Sequence, residues 1–288
     1  MSPQPFKLSK IEQVINENYA GIHVLQIERN ECDRVFSVIS NERPLIFKFH
    51  DPLIVPNLAK LDKVYQICAE GKLTPELILN RQGRALFQAN GWIVSLQIKK
   101  NRENASIEPD RFGLRVSKLH HLLKLLNFDE MANHLQRSVT NIAYLADRYG
   151  YKTMLPMLKR VEKLRLNKAH QLIHGDLHQG NVISSEGEYF FIDLDSANVF
   201  VPFSDIGFSA FRIFGFESDP IEAFMNAYNH HRAGEPVTRN LIFDFAVYNI
   251  LQRILFIRSE LERGNDCHLW DLSNQENYLA QVFEKWMI

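Results

Sequence analysis

Four polar side chains whose types could support chemistry stand within residues 171–197, in the segment QLIHGDLHQGNVISSEGEYFFIDLDSA. His174, Asp176 and Asn181 follow the pattern H-x-D-x-x-x-x-N, and Asp193 comes twelve residues after Asn181 at the end of an apolar run. Transfer of a γ-phosphoryl group needs a carboxylate that orients a hydroxyl and accepts its proton, together with oxygen ligands for a divalent cation. The sequence therefore predicts phosphoryl transfer, with Asp176 as the catalytic carboxylate.

Apolar residues on both sides of a glycine predict how these side chains come together. Residues 182–183 and 189–192 read as two short strands, and Gly187 lies in the turn between them. A hairpin of this kind would fold Asp193 back beside Asn181. Amide and carboxylate oxygens are ligands that Mg²⁺ prefers, so we expect the two residues to be its ligands.

A turn without chemistry is the alternative interpretation of the same residues. Aspartate, asparagine and glycine are common in loops, and His-Gly-Asp by itself marks no more than a turn. The joint spacing, between two segments apolar enough to be buried strands, favours the catalytic interpretation. On that interpretation we expect His174 to brace the loop around Asp176 rather than to act as the base.

The segments HGDLHQGNV and FIDLDSA together resemble the aminoglycoside phosphotransferase and choline kinase family, which comprises small-molecule kinases with a protein-kinase-like fold. The resemblance implies that ATP is the phosphoryl donor and Mg²⁺ the cofactor. It also implies that the acceptor is a hydroxyl of a small molecule, similar to an aminoglycoside, choline or homoserine. The sequence leaves open which acceptor is used, and whether ATP or GTP is the donor.

The same resemblance implies the residues that hold the nucleotide. Lys48, between bulky apolar residues of a predicted strand, matches the lysine that pairs with nucleotide phosphates in kinase-like folds. A strand lysine that faces solvent would give the same local pattern. The backbone of Leu96, Gln97 and Ile98 precedes a polar segment that resembles the hinge between lobes, and we expect it to bind the adenine edge.

Two features depart from the family pattern. The loop 29–33 has no glycine, although glycine lets backbone N–H groups approach phosphates closely. The predicted helix 58–70 has no glutamate at the position expected to pair with Lys48. Asp62 is the nearest acid on this helix, and an Asp62 that faces solvent is an equal alternative.

Hydrophobic periodicity predicts an α+β fold, and the order of the elements matches a two-lobed, protein-kinase-like architecture. We expect a nucleotide-binding lobe with an antiparallel sheet over 1–98 and a mainly helical catalytic and substrate-binding lobe over 99–288. The predicted strands are 22–28, 34–40, 45–50, 77–80, 85–88 and 92–98, and the predicted helices are 8–19, 58–70, 112–128, 141–149, 155–166, 220–231, 241–261 and 274–286.

Composition and charge exclude several classes of protein. The 288 residues are 45% hydrophobic, and 33 Lys and Arg against 34 Asp and Glu leave a formal charge of −1, so we expect no nucleic-acid partner. No run of about eighteen apolar residues occurs, which predicts a cytoplasmic protein without a membrane partner. Cys32, Cys68 and Cys267 are too scattered to predict a disulfide framework or a zinc site. The oligomeric state is left open.

Two alternative functions stay open at this point. Related folds also phosphorylate serine or threonine in proteins, which a shallow acidic cleft rather than a closed pocket would indicate. A nucleotide-binding regulatory protein without turnover is the second alternative, favoured only by the glycine-free loop and the missing helix glutamate. On the predicted helix 241–261, we expect Arg253 and Arg258 to be solvated rather than to face a pocket.

Overall fold

The computed structural model describes most of the chain. The described residues are 8–30, 34–41, 43–50, 52–104, 106–128, 139–167, 170–215, 217–232, 235–266 and 269–286. The chain divides into two compact units. The first comprises residues 1–105 and 181–197, and the second comprises residues 106–180 and 198–288.

The first unit differs from the predicted lobe of residues 1–98 because it also includes residues 99–105 and 181–197. Hydrogen bonds account for the difference. The N–H of Glu103 donates to the carbonyl of Ser184 at 2.8 Å, and the Arg102 guanidinium donates to a carbonyl 80 residues further along the chain at 3.2 Å. Such long-range bonds leave no local pattern in the sequence, so a division at a single point misses them.

An antiparallel sheet is the centre of the first unit. Its strands are β1 (Val24–Arg29), β2 (Val35–Ser40), β3 (Pro44–Phe49), β4 (Phe87–Ala89) and β5 (Trp92–Ile98), and the helices of the unit are α1 (Leu8–Asn18) and α2 (Leu58–Glu70). The strand order is β1-β2-β3-β5-β4. Side chains alternate along β3, so Leu45, Phe47 and Phe49 are buried in the core while Lys48 lies on the opposite face.

The strands and helices predicted for this region are confirmed, with one exception. Residues 77–80 do not form a strand, and Leu77 makes only an isolated bridge to Gln97. A turn interrupts the pairing there, because the N–H of Asn80 donates to the carbonyl of Arg84. The short predicted strand 85–88 is correspondingly observed as β4, two residues later.

The segment 181–197 contributes a hairpin to the first unit. Its strands are β7 (Val182–Ser185) and β8 (Glu188–Phe191). The strands pair antiparallel with Val182 opposite Phe191. Glu186 and Gly187 form the turn with φ of 54° and 73°, and two positive φ angles are what a tight hairpin with the normal strand twist requires. The predicted hairpin is confirmed.

The second unit is mainly helical. Its elements are α3 (Pro109–Lys124), α4 (Val139–Arg148), α5 (Leu155–Asn167), β6 (Gln171–Ile173), β9 (Asn198–Phe200), α6 (Phe203–Phe214), α7 (Ser218–His230), α8 (Arg239–Glu262) and α9 (Leu269–Trp286). The helices predicted for this region are confirmed. The antiparallel pair of β6 and β9 is new, because three-residue strands are too short to show a periodicity. Gly207 on α6 allows close packing on α8, since a Cβ there would lie 2.8 Å from the backbone nitrogen of Ala246.

Helix α8 is long and apolar enough to cross a membrane by length and composition alone. Within the second unit, however, 61% of its most apolar window is buried. A helix that is apolar on all sides is typical of the core of a large helical unit. The burial of α8 is therefore explained by its packing against α6 and α9.

Some features of the sequence lie outside the described residues. They include positions 31–33 of the glycine-free loop, and with them Cys32, and also Cys267. Cys68 is described, and it is a free, buried thiol on α2.

Candidate active site

Lys48 forms ion pairs with two carboxylates of the first unit. Its Nζ is 2.6 Å from Oδ1 of Asp193 and 3.2 Å from Oδ2 of Asp195, and its side chain is 19% exposed. Burial by itself would lower the pKa of the ammonium group, but the charges of Asp195 and Asp193 outweigh burial and raise the pKa above its ordinary value. Lys48 is therefore a permanently charged and largely buried lysine. Its role in nucleotide binding stays a prediction.

Asp195 is the centre of a buried cluster of hydrogen bonds. Besides the ion pair with Lys48, it accepts hydrogen bonds from Nδ1 of His50 at 2.8 Å and from the hydroxyl of Tyr65 at 2.7 Å. Burial would raise the pKa of this carboxyl, but the charge of Lys48 and the hydrogen bonds from His50 and Tyr65 outweigh it and hold the pKa well below its usual range. Asp195 is ionised and restrains the position of Lys48.

His50 is held in one orientation by bonds at both ring nitrogens. Nε2 lies 2.7 Å from the hydroxyl of Ser95, and Nδ1 lies near Asp195. Burial is the main cause that lowers the pKa of His50, so the ring is neutral near pH 7. Because Asp195 only accepts hydrogen bonds, the network assigns the proton to Nδ1 and leaves Nε2 to accept from Ser95.

Sequence reasoning missed His50, Tyr65 and Asp195 as parts of this cluster. Two weak signals were present. His50 stands two residues after Lys48, which places both on one side of an extended chain, and Asp195 stands two residues after Asp193. No comparable signal marks Tyr65, whose contact with Asp195 joins residues 130 apart in the chain.

Both alternatives expected for Asp62 are wrong. It neither pairs with Lys48 nor faces solvent, because its side chain is 2% exposed and its carboxylate accepts the backbone N–H groups of Ala85 and Leu86 at 2.8 and 2.9 Å. Its role is to satisfy these two buried donors just before β4. Helix α2 reaches Lys48 through the Tyr65 hydroxyl and Asp195 instead of through a glutamate.

The β7–β8 hairpin brings Asp193 next to Asn181, as expected. The backbone N–H of Ile192 donates to the carbonyl of Asn181 at 2.9 Å. Asn181 is 7% exposed, whereas the Asp193 side chain is 46% exposed and its backbone has a φ of 62°. One amide and one carboxylate are hard oxygen donors that fit Mg²⁺, which is usually completed by water and phosphate oxygens.

No group of three or more His, Cys, Asp or Glu side chains suited to a metal ion occurs in the described part of the chain. This finding is compatible with a site that uses only one carboxylate and one amide. The assignment of Asn181 and Asp193 as metal ligands stays a prediction.

Leu96, Gln97 and Ile98 form the end of β5. The carbonyl of Leu96 accepts from the N–H of Ile78 at 2.8 Å, and the N–H of Ile98 donates to the carbonyl of Glu76 at 2.8 Å. Two of the backbone groups expected to bind adenine are thus already paired within the first unit. The adenine-binding role stays a prediction, and it would have to use other groups of this segment.

The loop that carries Asp176 belongs to the second unit and is anchored by a buried aspartate. Asp205, in the first turn of α6, accepts the backbone N–H groups of His174 and Gly175, each at 2.8 Å, and lies 3.0 Å from Nε2 of His120. The N–H of Asp176 in turn donates to Nδ1 of His174 at 3.3 Å. His174 therefore braces the loop around Asp176, as expected, and Asp205 is a second anchor of the same loop.

Asp176 is an ionised carboxylate with a partly exposed side chain. Nε2 of His178 lies 3.6 Å from its Oδ2, and the Asp176 side chain is 36% exposed. Burial would raise the pKa of this carboxyl, but His178, and more weakly the charges of His174 and Arg212, outweigh burial and lower the pKa below its ordinary value. A low pKa keeps Asp176 able to accept a hydrogen bond from a hydroxyl near neutral pH.

A cavity of about 440 Å³ lies within the second unit, with Asp176 in its wall. Its lining combines aromatic side chains, amides and charges of both signs, including Phe208, Arg212, Arg253, Asp271 and Tyr278. Arg253 was expected to be solvated, and this expectation is wrong. Its side chain faces this cavity and pairs with Asp271 at 2.8 Å.

The predicted site residues are thus distributed between the two units. Lys48 and Asp193 are in contact and Asn181 adjoins Asp193 through the hairpin, all in the first unit. Asp176 belongs to the second unit, together with the cavity.

Three solved structures with similar folds are kinases. A spectinomycin phosphotransferase in complex with ADP and spectinomycin is 13% identical with a TM-score of 0.70, over 99% of this chain and 100% of that chain. The choline kinase LicA from Streptococcus pneumoniae is 16% identical with a TM-score of 0.66, over 96% and 98% of the two chains. An amicoumacin kinase in complex with AMP-PNP and Ca²⁺ is 12% identical with a TM-score of 0.69, over 98% and 95%. The expected α+β, protein-kinase-like fold is confirmed.

No curated protein sequence matches the chain. A family model described as the phosphotransferase enzyme family matches residues 23–241, which is well over half of the chain. The matched range includes both the HGDLHQGNV and the FIDLDSA segments. The resemblance inferred from these segments is confirmed, and the chain belongs to the phosphotransferase enzyme family.

Proposed function

We propose that the protein transfers the γ-phosphoryl group of ATP to a hydroxyl group of a small molecule. The observation that carries the proposal is the position of Asp176, an ionised carboxylate on a braced loop in the wall of a cavity of about 440 Å³. Ligand sites for small molecules have volumes of about 300–1,000 Å³. A carboxylate in the wall of such a site can orient the hydroxyl of a bound acceptor.

The reaction would form a bond between the acceptor oxygen and the γ-phosphorus. The bond between that phosphorus and the oxygen bridging to the β-phosphate breaks, and ADP leaves. Asp176 holds the hydroxyl in line for attack and takes up its proton, which then passes to solvent. The products are ADP, the phosphorylated acceptor and one proton.

Residues of the first unit would hold the nucleotide. Lys48 stays charged and is suited to bind a phosphate oxygen, while Asn181 and Asp193 supply the two oxygen ligands for Mg²⁺. Bound Mg²⁺ would neutralise charge on the phosphates. The similar kinases described with ADP and with AMP-PNP and Ca²⁺ support the use of a nucleotide with a divalent cation.

The cavity favours a small acceptor over a protein. A protein kinase would present a shallow acidic cleft, whereas this cavity has aromatic and amide walls and carries both arginine and aspartate. Similar structures include a spectinomycin phosphotransferase and a choline kinase, both named for small molecules. A regulatory protein without turnover would have no need of an ionised Asp176 on a braced loop.

The substitution Asp176→Asn tests the proposal, because it removes the proton acceptor and keeps the shape of the side chain. We expect turnover to fall by about 10²–10⁴ while the affinity for Mg·ATP changes little. ADP release would be measured against a panel of hydroxyl compounds, and Mg·ATP affinity by calorimetry. A turnover close to that of the wild type would rule out this role for Asp176.

The substitutions Asn181→Ala and Asp193→Ala test the proposed metal ligands separately from Asp176. Each removes one proposed oxygen ligand, so both should weaken binding of Mg·ATP and leave the affinity for metal-free ATP less affected. Unchanged Mg·ATP affinity in both variants would contradict the metal assignment. A wild-type protein that binds Mg·ATP but releases no ADP with any acceptor would favour the regulatory alternative.

A further inference from the structure

Arg212 is a cavity-lining cation that is hydrogen-bonded to no carboxylate among the described residues. It lies on α6, and its guanidinium carbon is 5.7 Å from the ring centre of Phe208, 5.9 Å from that of Phe211 and 6.0 Å from that of Tyr278. Within the described part of the chain, its guanidinium makes no hydrogen bond and no ion pair. The side chain is neither fully buried nor fully exposed. The aromatic rings hold the guanidinium in place while its N–H donors stay available to a ligand.

The other charges that line the cavity are already engaged. Nε of Arg253 donates to Asp271 at 2.8 Å, and the other oxygen of Asp271 accepts from Gln275 at 3.0 Å. Asp205 accepts two backbone N–H groups and lies next to His120. Of the two arginines in the described lining, Arg253 is thus hydrogen-bonded to a carboxylate, whereas Arg212 is not, although its charge also helps to lower the pKa of Asp271.

We propose that the acceptor is an alcohol that also carries an anionic group, a carboxylate or a phosphate, and that Arg212 binds this group. A planar guanidinium with free N–H donors matches the paired oxygens of such groups, and it binds them more strongly in a partly desolvated site than in water. This inference rests on the proposed function, since it names the class of acceptor for the same cavity.

The geometry around Arg212 also links the anion site to the reaction site. The ring of Phe208 packs 6.3 Å from that of His178, and His178 lies beside Asp176. Arg212 and Asp176 line the same cavity, and the charge of Arg212 also helps to lower the pKa of Asp176. An acceptor of modest size could place its anionic group at Arg212 and its hydroxyl at Asp176. A polycationic acceptor such as an aminoglycoside would instead be repelled by the charge of Arg212.

Binding of matched pairs of compounds to the nucleotide-free protein tests the inference. The carboxylate arm compares 3-phenyllactate with its methyl ester and glycerate with glycerol, and the phosphate arm compares glycerol 3-phosphate with glycerol. Choline and kanamycin serve as cationic probes. Affinities would be measured by calorimetry, with tryptophan fluorescence as a second readout because Trp270 lines the same cavity. We expect at least one anionic member to bind about 10-fold or more tightly than its neutral partner.

The substitution Arg212→Gln should abolish that preference. The affinity for the anionic member should fall by about 10- to 100-fold, and the affinity for the neutral member should change little. Arg212→Lys keeps the charge but loses the planar pair of donors, so it should retain part of the preference and serves if Arg212→Gln does not fold. The matched control is Arg263→Gln, which removes the same charge from an exposed arginine that pairs with Glu260 near the end of α8, and this variant should bind as the wild type does.

Two results would overturn the inference. One is that no anionic member binds more tightly than its neutral partner, and the other is that the preference persists in Arg212→Gln. ADP release with the same compounds and Mg·ATP separates this inference from the proposed function. Arg212-dependent binding without any turnover would count against phosphoryl transfer, whereas turnover with only the neutral or cationic compounds would count against the anionic acceptor.

Discussion

The substitution Asp195→Asn is expected to destabilise the first unit without changing the volume of the side chain. The Asp195 carboxylate is 14% exposed and receives Lys48 at 3.2 Å, His50 at 2.8 Å and Tyr65 at 2.7 Å. An amide keeps only one accepting oxygen and turns two N–H donors toward groups that also donate. At least one charge-assisted hydrogen bond, of about 1.5–3 kcal/mol, is lost and a buried donor is left unpaired, so we expect a total cost of about 2–4 kcal/mol.

Urea unfolding at pH 7, followed by circular dichroism, would measure this cost. At a slope of about 2 kcal/mol per molar urea, the midpoint should fall by about 1–2 M. Amide hydrogen exchange in β3 and β5 would show whether the loss is confined to the first unit. Asp193→Asn is the matched control, because Asp193 pairs with the same lysine but is 46% exposed, so water can replace part of the lost interaction and we expect a cost of less than about 1 kcal/mol.

The effect of Asp195→Asn should depend on pH in one direction. The pKa of Asp195 is held below its usual value in the folded protein, so its contribution is complete above the unfolded-state pKa of about 3.9 and is lost as the pH falls further. The difference in stability between the wild type and the variant should therefore shrink below about pH 4. If the free energies of unfolding of Asp195→Asn and of the Asp193→Asn control differ by less than about 1 kcal/mol at pH 7, the role assigned to Asp195 is refuted.

Three further substitutions separate structural from chemical roles. Asp205→Asn, which weakens the anchor of the His174 loop, should lower kcat by about 10-fold and leave calorimetric Mg·ATP affinity unchanged; weaker nucleotide binding would contradict it. Asp62→Ala leaves two buried N–H groups unpaired and should cost about 2–4 kcal/mol in urea unfolding, again with normal Mg·ATP affinity, which pairing with Lys48 would not allow. Gly207→Ala should cost about 1–3 kcal/mol, because its Cβ would lie 2.8 Å from backbone that cannot move away, and an unchanged melting temperature would disprove this tight packing.

Much of the fold could be predicted because its signals are local. The β7–β8 hairpin follows from two short apolar runs around Glu186 and Gly187, and β3 follows from the alternation of Leu45, Phe47 and Phe49 with less buried neighbours. The spacing of the HGDLHQGNV and FIDLDSA segments was sufficient to predict the family. The cytoplasmic location and the absence of nucleic-acid and membrane partners stay predictions from composition.

Only the tertiary structure decided how the remaining charged groups are used. The bonds of Asp195 to His50 and Tyr65 join residues 145 and 130 apart, and the bonds of Asp62 to Ala85 and Leu86 join residues 23 and 24 apart. Hydrophobic periodicity reports which face of one element is buried, but it carries no information about which distant polar group meets another.

The cavity shows the same limit of sequence reasoning. Arg253 and Arg212 look alike in sequence, as single arginines on amphipathic or apolar helices, yet Arg253 pairs with Asp271 whereas the guanidinium of Arg212 lies against aromatic rings. That difference depends on the packing of α6, α8 and α9 in three dimensions. The sequence by itself thus determined the fold class and the family, whereas the partners of each buried charge were decided by tertiary contacts, because a charge can be neutralised by any residue that folding brings within a few ångströms.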